Sequence, residues 1–146
     1  MIRPATDDDA AAVAQVYLEA FRSALPTVRL AHSDNDVRAW IRAVVIPAGG
    51  CVVAEERGAV AAMMVLEDDW INQLYVAPAA QGHGLGGQLV DHAKRQRPDG
   101  LQLWTFQINE RAQRFYQRQG FTAVRRTDGD NEEREPDVLY AWRPAQ

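Results

Sequence analysis

Apolar residues recur with helical spacing in two segments near the start of the chain. Thr6 and three aspartates precede the first segment, and Ser33 with Asp34 and Asp36 precedes the second. Hydroxyl side chains accept hydrogen bonds from the open N–H groups of a first helical turn, and acidic side chains suit the positive end of the helix dipole. Two amphipathic helices are therefore predicted, and Pro47 ends the second. Their apolar stripes are Val13, Val16, Tyr17, Ala20, Phe21 and Ala24, and then Val37, Trp40, Ile41, Val44 and Val45.

Strand-like and helix-like patterns alternate through the rest of the chain. Three apolar runs separated by short turns predict an antiparallel meander, with a two-residue hairpin turn at Arg57-Gly58. A glycine-rich turn and two more helices follow, the first broken by Pro98 and the second running from Asn109 to Gly120. Strands are predicted at 51–56, 59–66, 70–76, 101–106, 121–127 and 137–143, with room for a short one at 1–3. The third helix has the stripe Leu85, Leu89, Val90 and Ala93.

This order, ααβββαβαββ, indicates one mixed α/β domain spanning residues 1–146, also classed as α+β in some schemes. The chain of 146 residues suits one core, and 47% apolar with 25% charged residues is ordinary for a soluble domain. A net charge of −4 argues against a broad nucleic-acid surface. The single cysteine, the lack of a signal-peptide core and the lack of a long apolar stretch favour a cytoplasmic protein without membrane contact.

The glycine-rich turn at 81–87 lies between a strand and a helix, which is a typical phosphate-binding arrangement. A P-loop would need Lys and Ser or Thr after its glycines, whereas Gln88 follows Gly87 here. A dinucleotide fingerprint is formally matched by Gly82, Gly84 and Gly87. It also needs an acidic residue at the end of the next strand, and that strand ends at Gln107 without one, which disfavours this alternative.

Three segments together resemble the GNAT superfamily of N-acetyltransferases. Residues 81–86 resemble its Q/R-x-x-G-x-G/A motif, and residues 74–78 resemble its L-x-V-x-P strand end. Residues 109–121 are similar to its N-x-x-A-x-x-F-Y-x-x-x-G-F segment. The segments occur in the family's order. The resemblance implies the GNAT fold, a mixed central sheet of about six to seven strands with a splayed strand pair and about four helices.

The resemblance implies an acyl-CoA-dependent N-acyltransferase that uses acetyl-CoA, without a metal, and transfers acetyl to a primary amine by direct attack. By the same resemblance, the pantetheine arm would pair with the backbone of Leu74 and Val76, and Asn109 would contact the arm. Tyr116 would protonate the departing thiolate, and the Val76 N–H would stabilise the oxyanion. Pyrophosphate binding would fall to Gln81, Gly82, His83, Gly84, Leu85, Gly86 and Gly87.

The general base is less well marked. Many family members place a glutamate near the start of the splayed strand, where this chain has Trp70. Glu67 or Asp69 could act through water, although acids in a hairpin turn are commonly just solvated. His83 is interpreted as a variable position of the phosphate turn.

The acceptor amine is not specified by the resemblance. Phe21, Leu25, Trp40 and Trp104 are expected as apolar walls of its site. The acidic loop at 128–137 is either a solvated loop or an anionic mouth that attracts a polyamine, an aminoglycoside or a lysine. Two functions stay open at this point: an active enzyme, monomeric or homodimeric, and a non-catalytic acyl-CoA sensor or interaction module.

Overall fold

A seven-stranded mixed sheet with helices on both faces forms the protein, in a computed structural model that describes residues 1–144. The strand order is β1-β2-β3-β4-β5-β7-β6, and only the β4–β5 pair is parallel. This architecture confirms the predicted fold class, while residues 145 and 146 of the predicted domain lie outside the described part. The strands are β1 (Ile2–Pro4), β2 (Cys51–Glu56), β3 (Ala59–Glu67), β4 (Trp70–Val76), β5 (Leu101–Phe106), β6 (Thr122–Thr127) and β7 (Asp137–Trp142). The helices are α1 (Ala10–Ala24), α2 (Asp34–Trp40), α3 (Leu85–Gln96) and α4 (Glu110–Arg118).

Successive residues of β3 separate the two faces of the sheet. Met63 packs with α1 and α2, whereas Met64 packs with α3 and α4. The alternation follows from the two-residue period of a strand, which turns neighbouring side chains to opposite faces. At the β2–β3 turn, Arg57 and Gly58 have φ values of 55° and 79°, as the predicted two-residue hairpin requires. None of the helices within residues 1–144 is long and apolar enough to cross a bilayer.

The start of α1 is fastened to the edge of the sheet by a charged network. Thr6 opens a 3₁₀ turn at Asp7–Asp9 that leads into α1, and the Asp9 carboxylate accepts from the Thr6 N–H at 2.7 Å. Arg3 of β1 donates to both Asp9 oxygens, at 2.7 and 2.9 Å, and also binds Glu55. Hydrogen bonds from Arg3 hold the pKa of Asp9 well below its usual value.

The second predicted helix changes its winding near its end. After α2 the chain forms a π-helical turn at Ile41–Val45, in which the Ile46 N–H donates to the Ile41 carbonyl at 3.0 Å. The wider turn rotates the following side chains relative to an α-helix. Val44, within this turn, is 55% exposed, and Trp40, which precedes the turn, is 38% exposed, so neither is buried with the other residues of the predicted apolar stripe.

Strands β4 and β5 touch at one end and then diverge. Trp70 pairs with Gln102, and no further β4–β5 pair follows within residues 1–144. The Ala77 N–H donates to the Ala61 carbonyl, and hydrogen-bonded pairs alternate along an antiparallel ladder. Leu74 and Val76 therefore direct their backbone N–H and C=O groups away from β3 and into the gap, which is the predicted splay.

Candidate active site

The glycine-rich turn has a backbone that only glycine adopts without strain. Gly82 and Gly84 have φ values of 85° and 84°, and Gly84 is the N-cap residue of α3. No atom lies within 4 Å of the place where a Gly82 side chain would begin. The turn therefore leaves free space in front of the N-terminus of α3, where the helix dipole favours an anion.

Packing and hydrogen bonds fix this turn against its neighbours. A Cβ on Gly86 would lie 3.2 Å from the ring of Phe115 in α4, so the glycine lets α3 and α4 approach closely. The Gln81 side chain donates to the Val76 carbonyl at 3.4 Å and accepts from Arg111 at 2.7 Å. His83 is 2.8 Å from the Glu56 carboxylate at the β2–β3 hairpin, on the outside of the turn.

A cavity of about 370 Å³ lies between this turn, β4 and α4, and is called here the cofactor-side cavity. Every predicted cofactor-binding residue except His83 lines it. Arg111 and Arg118 of α4 also line it, and the sequence analysis did not predict either as a cofactor-binding residue. Their i, i+7 spacing on α4 is the signal that could have identified them.

Asn109 and Tyr116 lie on one face of α4 and line this cavity together. The Asn109 side chain accepts from the Ala112 N–H at 3.1 Å, which confirms its role as N-cap of α4. Tyr116 is 7% exposed, and no residue within 1–144 hydrogen-bonds to its phenol. Because no fully buried side-chain oxygen there lacks a partner, the phenol oxygen must reach the cavity. Burial raises the pKa of Tyr116 well above its usual value.

A second cavity, of about 410 Å³, opens from the same junction and is called here the acceptor-side cavity. The two cavities share Leu74, Tyr75, Asn109, Ala112 and Tyr116. The gap between β4 and β5 therefore joins the glycine-rich turn on one side to a separate chamber on the other, with Tyr116 lining both cavities.

Aromatic rings from three elements form one wall of the acceptor-side cavity. Tyr17 and Phe21 of α1 contact Tyr75 of β4, with ring centroids 4.9 and 6.5 Å apart, and Phe106 of β5 lies against Phe21 at 6.4 Å. Phe21, Leu25 and Trp104 line the cavity as expected. Trp40 does not, since it faces outward from α2 and contacts the edge of Tyr17.

Within residues 1–144, acidic side chains reach the acceptor-side cavity only from the segment that leads from β6 into β7. Asp130, Glu133 and Asp137, from the 128–137 segment, line it. The two proposed bases lie elsewhere: Glu67 is exposed at the end of β3, and the Asp69 carboxylate accepts from the Gln102 amide at 3.1 Å. Neither is among the residues that line the two cavities, so the structure does not bring them together with Tyr116.

Comparison with known proteins identifies the family. The model of the acetyltransferase (GNAT) domain matches residues 47–123, which include the glycine turn and α4. Peptidyl-lysine N-acetyltransferase YiaC of Escherichia coli K12 is 27% identical over 124 residues, covering 85% of this chain and 84% of that one.

Solved structures share the fold over nearly the full length. The apo form of YjaB from Escherichia coli superposes with a TM-score of 0.81 at 22% identity, covering 99% of this chain and 98% of that one. PaiA N-acetyltransferase of Thermoplasma acidophilum, in complex with coenzyme A, superposes with a TM-score of 0.71 at 14% identity, covering 99% and 98%. The matched domain spans more than half of the chain, and the chain therefore belongs to the GNAT family of acetyltransferases.

Proposed function

We propose that the protein transfers acetyl from acetyl-CoA to the nitrogen of a primary amine, by direct attack and through a tetrahedral intermediate. The observation that supports this function is the junction at which the cofactor-side and acceptor-side cavities share Tyr116 and the unpaired backbone of β4. Such a junction lets two reactants approach one point from opposite sides, as direct transfer requires.

The residues present fit coenzyme A. Its phosphates carry negative charge, and the cofactor-side cavity offers the N-terminus of the twelve-residue helix α3 together with Arg111 and Arg118. The backbone groups of Leu74 and the N–H of Val76, which point into the gap, suit the amide-bearing pantetheine arm, which can pair with them as a strand would. Coenzyme A is also the ligand named for the PaiA structure.

When bound, acetyl-CoA supplies a thioester whose carbonyl carbon would form the C–N bond with the neutral amine first; the C–S bond would break when this tetrahedral adduct collapses, and the nitrogen would give its remaining extra proton to water. The Val76 N–H points into the gap and is the proposed donor to the oxygen that gains charge. Tyr116 holds a proton near this point and is proposed to give it to the leaving sulfur. Burial raises the pKa of a phenol and of a thiol alike. The pKa of the proton donor and that of the protonated leaving group therefore shift in the same direction.

The amine must lose its own proton before it attacks, because an alkylammonium has a pKa of about 10.4 in water. The acceptor-side cavity opens to solvent, and water there is the proposed carrier of that proton. Glu67 and Asp69 would have to act from outside the cavity. The structure therefore supports them less well as general bases than the sequence does.

A screen of primary amines tests the proposal. The protein would be mixed with acetyl-CoA and single amines, including capped lysine, diamines and aminoglycosides, and free thiol would be measured. We expect thiol release that depends on at least one amine. Binding of acetyl-CoA without thiol release for any amine would instead favour the non-catalytic sensor.

A further inference from the structure

Several polar side chains that line the acceptor-side cavity have no role in the proposed transfer, and two of them stand out. They are the Tyr17 phenol, from the middle of α1, and the Glu133 carboxylate, from the 128–137 loop. They come from chain segments more than a hundred residues apart and face one chamber.

Tyr17 is buried except where it meets the cavity. It is 8% exposed, and no hydrogen bond to its phenol is present among residues 1–144. Because no fully buried side-chain oxygen lacks a partner there, the Tyr17 oxygen must touch the cavity. Burial, with the nearby charges of Glu133 and Glu132, raises the pKa of Tyr17 to about 12. The phenol therefore stays neutral near pH 7 and can accept a hydrogen bond.

Glu133 is half-buried and is positioned by the backbone. One of its carboxylate oxygens accepts from the Ala31 N–H at 3.3 Å, which joins the α1–α2 loop to the acidic loop. The other oxygen has no partner within residues 1–144. Burial raises the pKa of Tyr75 in the neighbouring strand β4, and the Glu133 charge adds to this shift.

Glu132 and the other two acids that line the cavity are engaged or exposed. Glu132 has a side chain that is 69% exposed and contacts His32 at 2.8 Å. Asp137 accepts from Asn131 at 3.1 Å and from the Thr127 hydroxyl, so its oxygens are occupied. Asp130 is exposed. Glu133 alone combines partial burial, an unpartnered oxygen and a place beside the aromatic wall.

We propose that Glu133 and Tyr17 form the subsite that receives the ammonium group of the acceptor, an unbranched alkylammonium without a carboxylate close to the nitrogen. This inference rests on the proposed function for its choice of cavity. The free Glu133 oxygen and the Tyr17 oxygen accept from the ammonium, while the rings of Phe21, Tyr75 and Phe106 contact its alkyl chain. Three acidic side chains and one guanidinium, that of Arg125, line the cavity within residues 1–144, so its net negative charge would repel a carboxylate beside the amine.

Binding of n-pentylammonium and of neutral pentan-1-ol to the CoA-loaded protein tests the subsite directly. Both probes would be titrated at fixed ionic strength and followed by amide chemical shifts. Glu133→Gln removes the charge but keeps an oxygen for the Ala31 N–H, and Glu132→Gln is the matched control that removes a charge one residue away. We expect Glu133→Gln to weaken n-pentylammonium binding at least about tenfold, as loss of a charge-assisted hydrogen bond predicts.

The control variant and the neutral probe are expected to behave differently. Glu132→Gln should change n-pentylammonium binding less than about threefold, since exposed charges contribute little. Pentan-1-ol should bind the wild type and Glu133→Gln equally. Tyr17→Phe should weaken n-pentylammonium binding by a smaller factor than Glu133→Gln. Equal effects of the two glutamine variants, or an equal loss of pentan-1-ol binding, would overturn the proposal.

Turnover separates this inference from the proposed function. With Nα-acetyl-lysine amide as acceptor, Glu133→Gln should raise KM for the amine and leave the Kd for acetyl-CoA unchanged. Thiol release at the same KM in Glu133→Gln and wild type would contradict the subsite and leave the transferase function standing. Glu133-dependent binding of n-pentylammonium without any thiol release would contradict the transferase function and leave the subsite standing.

Discussion

The Tyr116 hydroxyl belongs to a residue that lines both cavities. Removing this one group tests the proposed proton transfer to the leaving sulfur without disturbing the packing. Tyr116→Phe keeps the ring contacts with Phe115, Phe121 and Tyr140. We expect kcat to fall by roughly 10²–10⁴, the range of general-acid contributions, while the Kd for acetyl-CoA changes little. Steady-state kinetics and calorimetry measure the two effects. Wild-type turnover in this variant would remove Tyr116 as the acid.

Gly84 allows the proposed role of the glycine-rich turn in phosphate binding to be tested at the same scale. Gly84→Ala forces a side chain into a positive-φ conformation, which costs about 1–2 kcal/mol. Gly49, in the loop after the π-helical turn, has a φ of 89° and no atom within 4 Å of an added Cβ, so Gly49→Ala carries the same backbone penalty elsewhere. We expect similar losses of unfolding free energy in both variants, and a weaker Kd for CoA in Gly84→Ala alone. Equal CoA affinity in the two variants would contradict a role of this turn in binding.

Residues with a local signal were predictable, and residues defined by distant contacts were not. Asn109 follows a strand and precedes a helical pattern, so its capping role can be inferred from its neighbours. Tyr17 read only as one member of an apolar stripe. The surroundings of its phenol are set by Tyr75 and Glu133, which are distant in the sequence. Nothing in the local pattern indicates which of the loop acids will lie near it.

Among the elements, the start of α1 offers a test of electrostatics. Arg3 lowers the folded-state pKa of Asp9, so this carboxylate stabilises the fold above its ordinary pKa of about 3.9. The contribution is lost as pH falls through the lowered, folded-state value. Asp9→Asn should reduce the free energy of unfolding near pH 7 by about 1.5–3 kcal/mol. The difference from wild type should shrink as the pH falls below about 4.

Chemical denaturation at a series of pH values measures this effect. Asp7→Asn, at an exposed residue of the same acidic turn, is the control and should stay within about 0.5 kcal/mol of wild type. A difference for Asp9→Asn that is independent of pH would show that the carboxylate charge is not what stabilises this corner.

Element boundaries followed closely from the pattern, with one instructive exception. The strand limits agree with the sequence within one residue, because turns and glycines punctuate them. The π-helical turn after α2 was not predicted. A helical stripe assumes 3.6 residues per turn, and one wider turn exchanges exposed for buried positions without changing the composition.

For the whole molecule, the decisive question is which nucleotide it binds. CoA at about 100 times its Kd should stabilise the folded state by about 2.7 kcal/mol. For a chain of this size that raises Tm by roughly 5–10 °C. NADH is the control, because the dinucleotide fingerprint is matched by the glycines alone. An equal rise in Tm with NADH would contradict the assignment of the cofactor-side cavity to CoA.

The splayed sheet could be expected only through resemblance to the family. Apolar patterns specify which residues are buried in β4 and β5, but not that the two strands separate after Trp70 and Gln102. The separation depends on tertiary packing, which the apolar pattern of a single strand does not specify. The family motifs predicted the separation because they mark β4 and α4, the segments on either side of the gap.

The single pair between β4 and β5 also has a consequence for how the site can be tuned. Hydrogen bonds hold neighbouring strands at a nearly fixed spacing, but beyond Trp70–Gln102 the spacing is set by packed side chains such as Leu89 and Val138. The width of the gap is therefore a matter of side-chain volume. Substitutions in this core, remote from any reactant, can open or narrow the passage between the two cavities while the residues that line it stay the same.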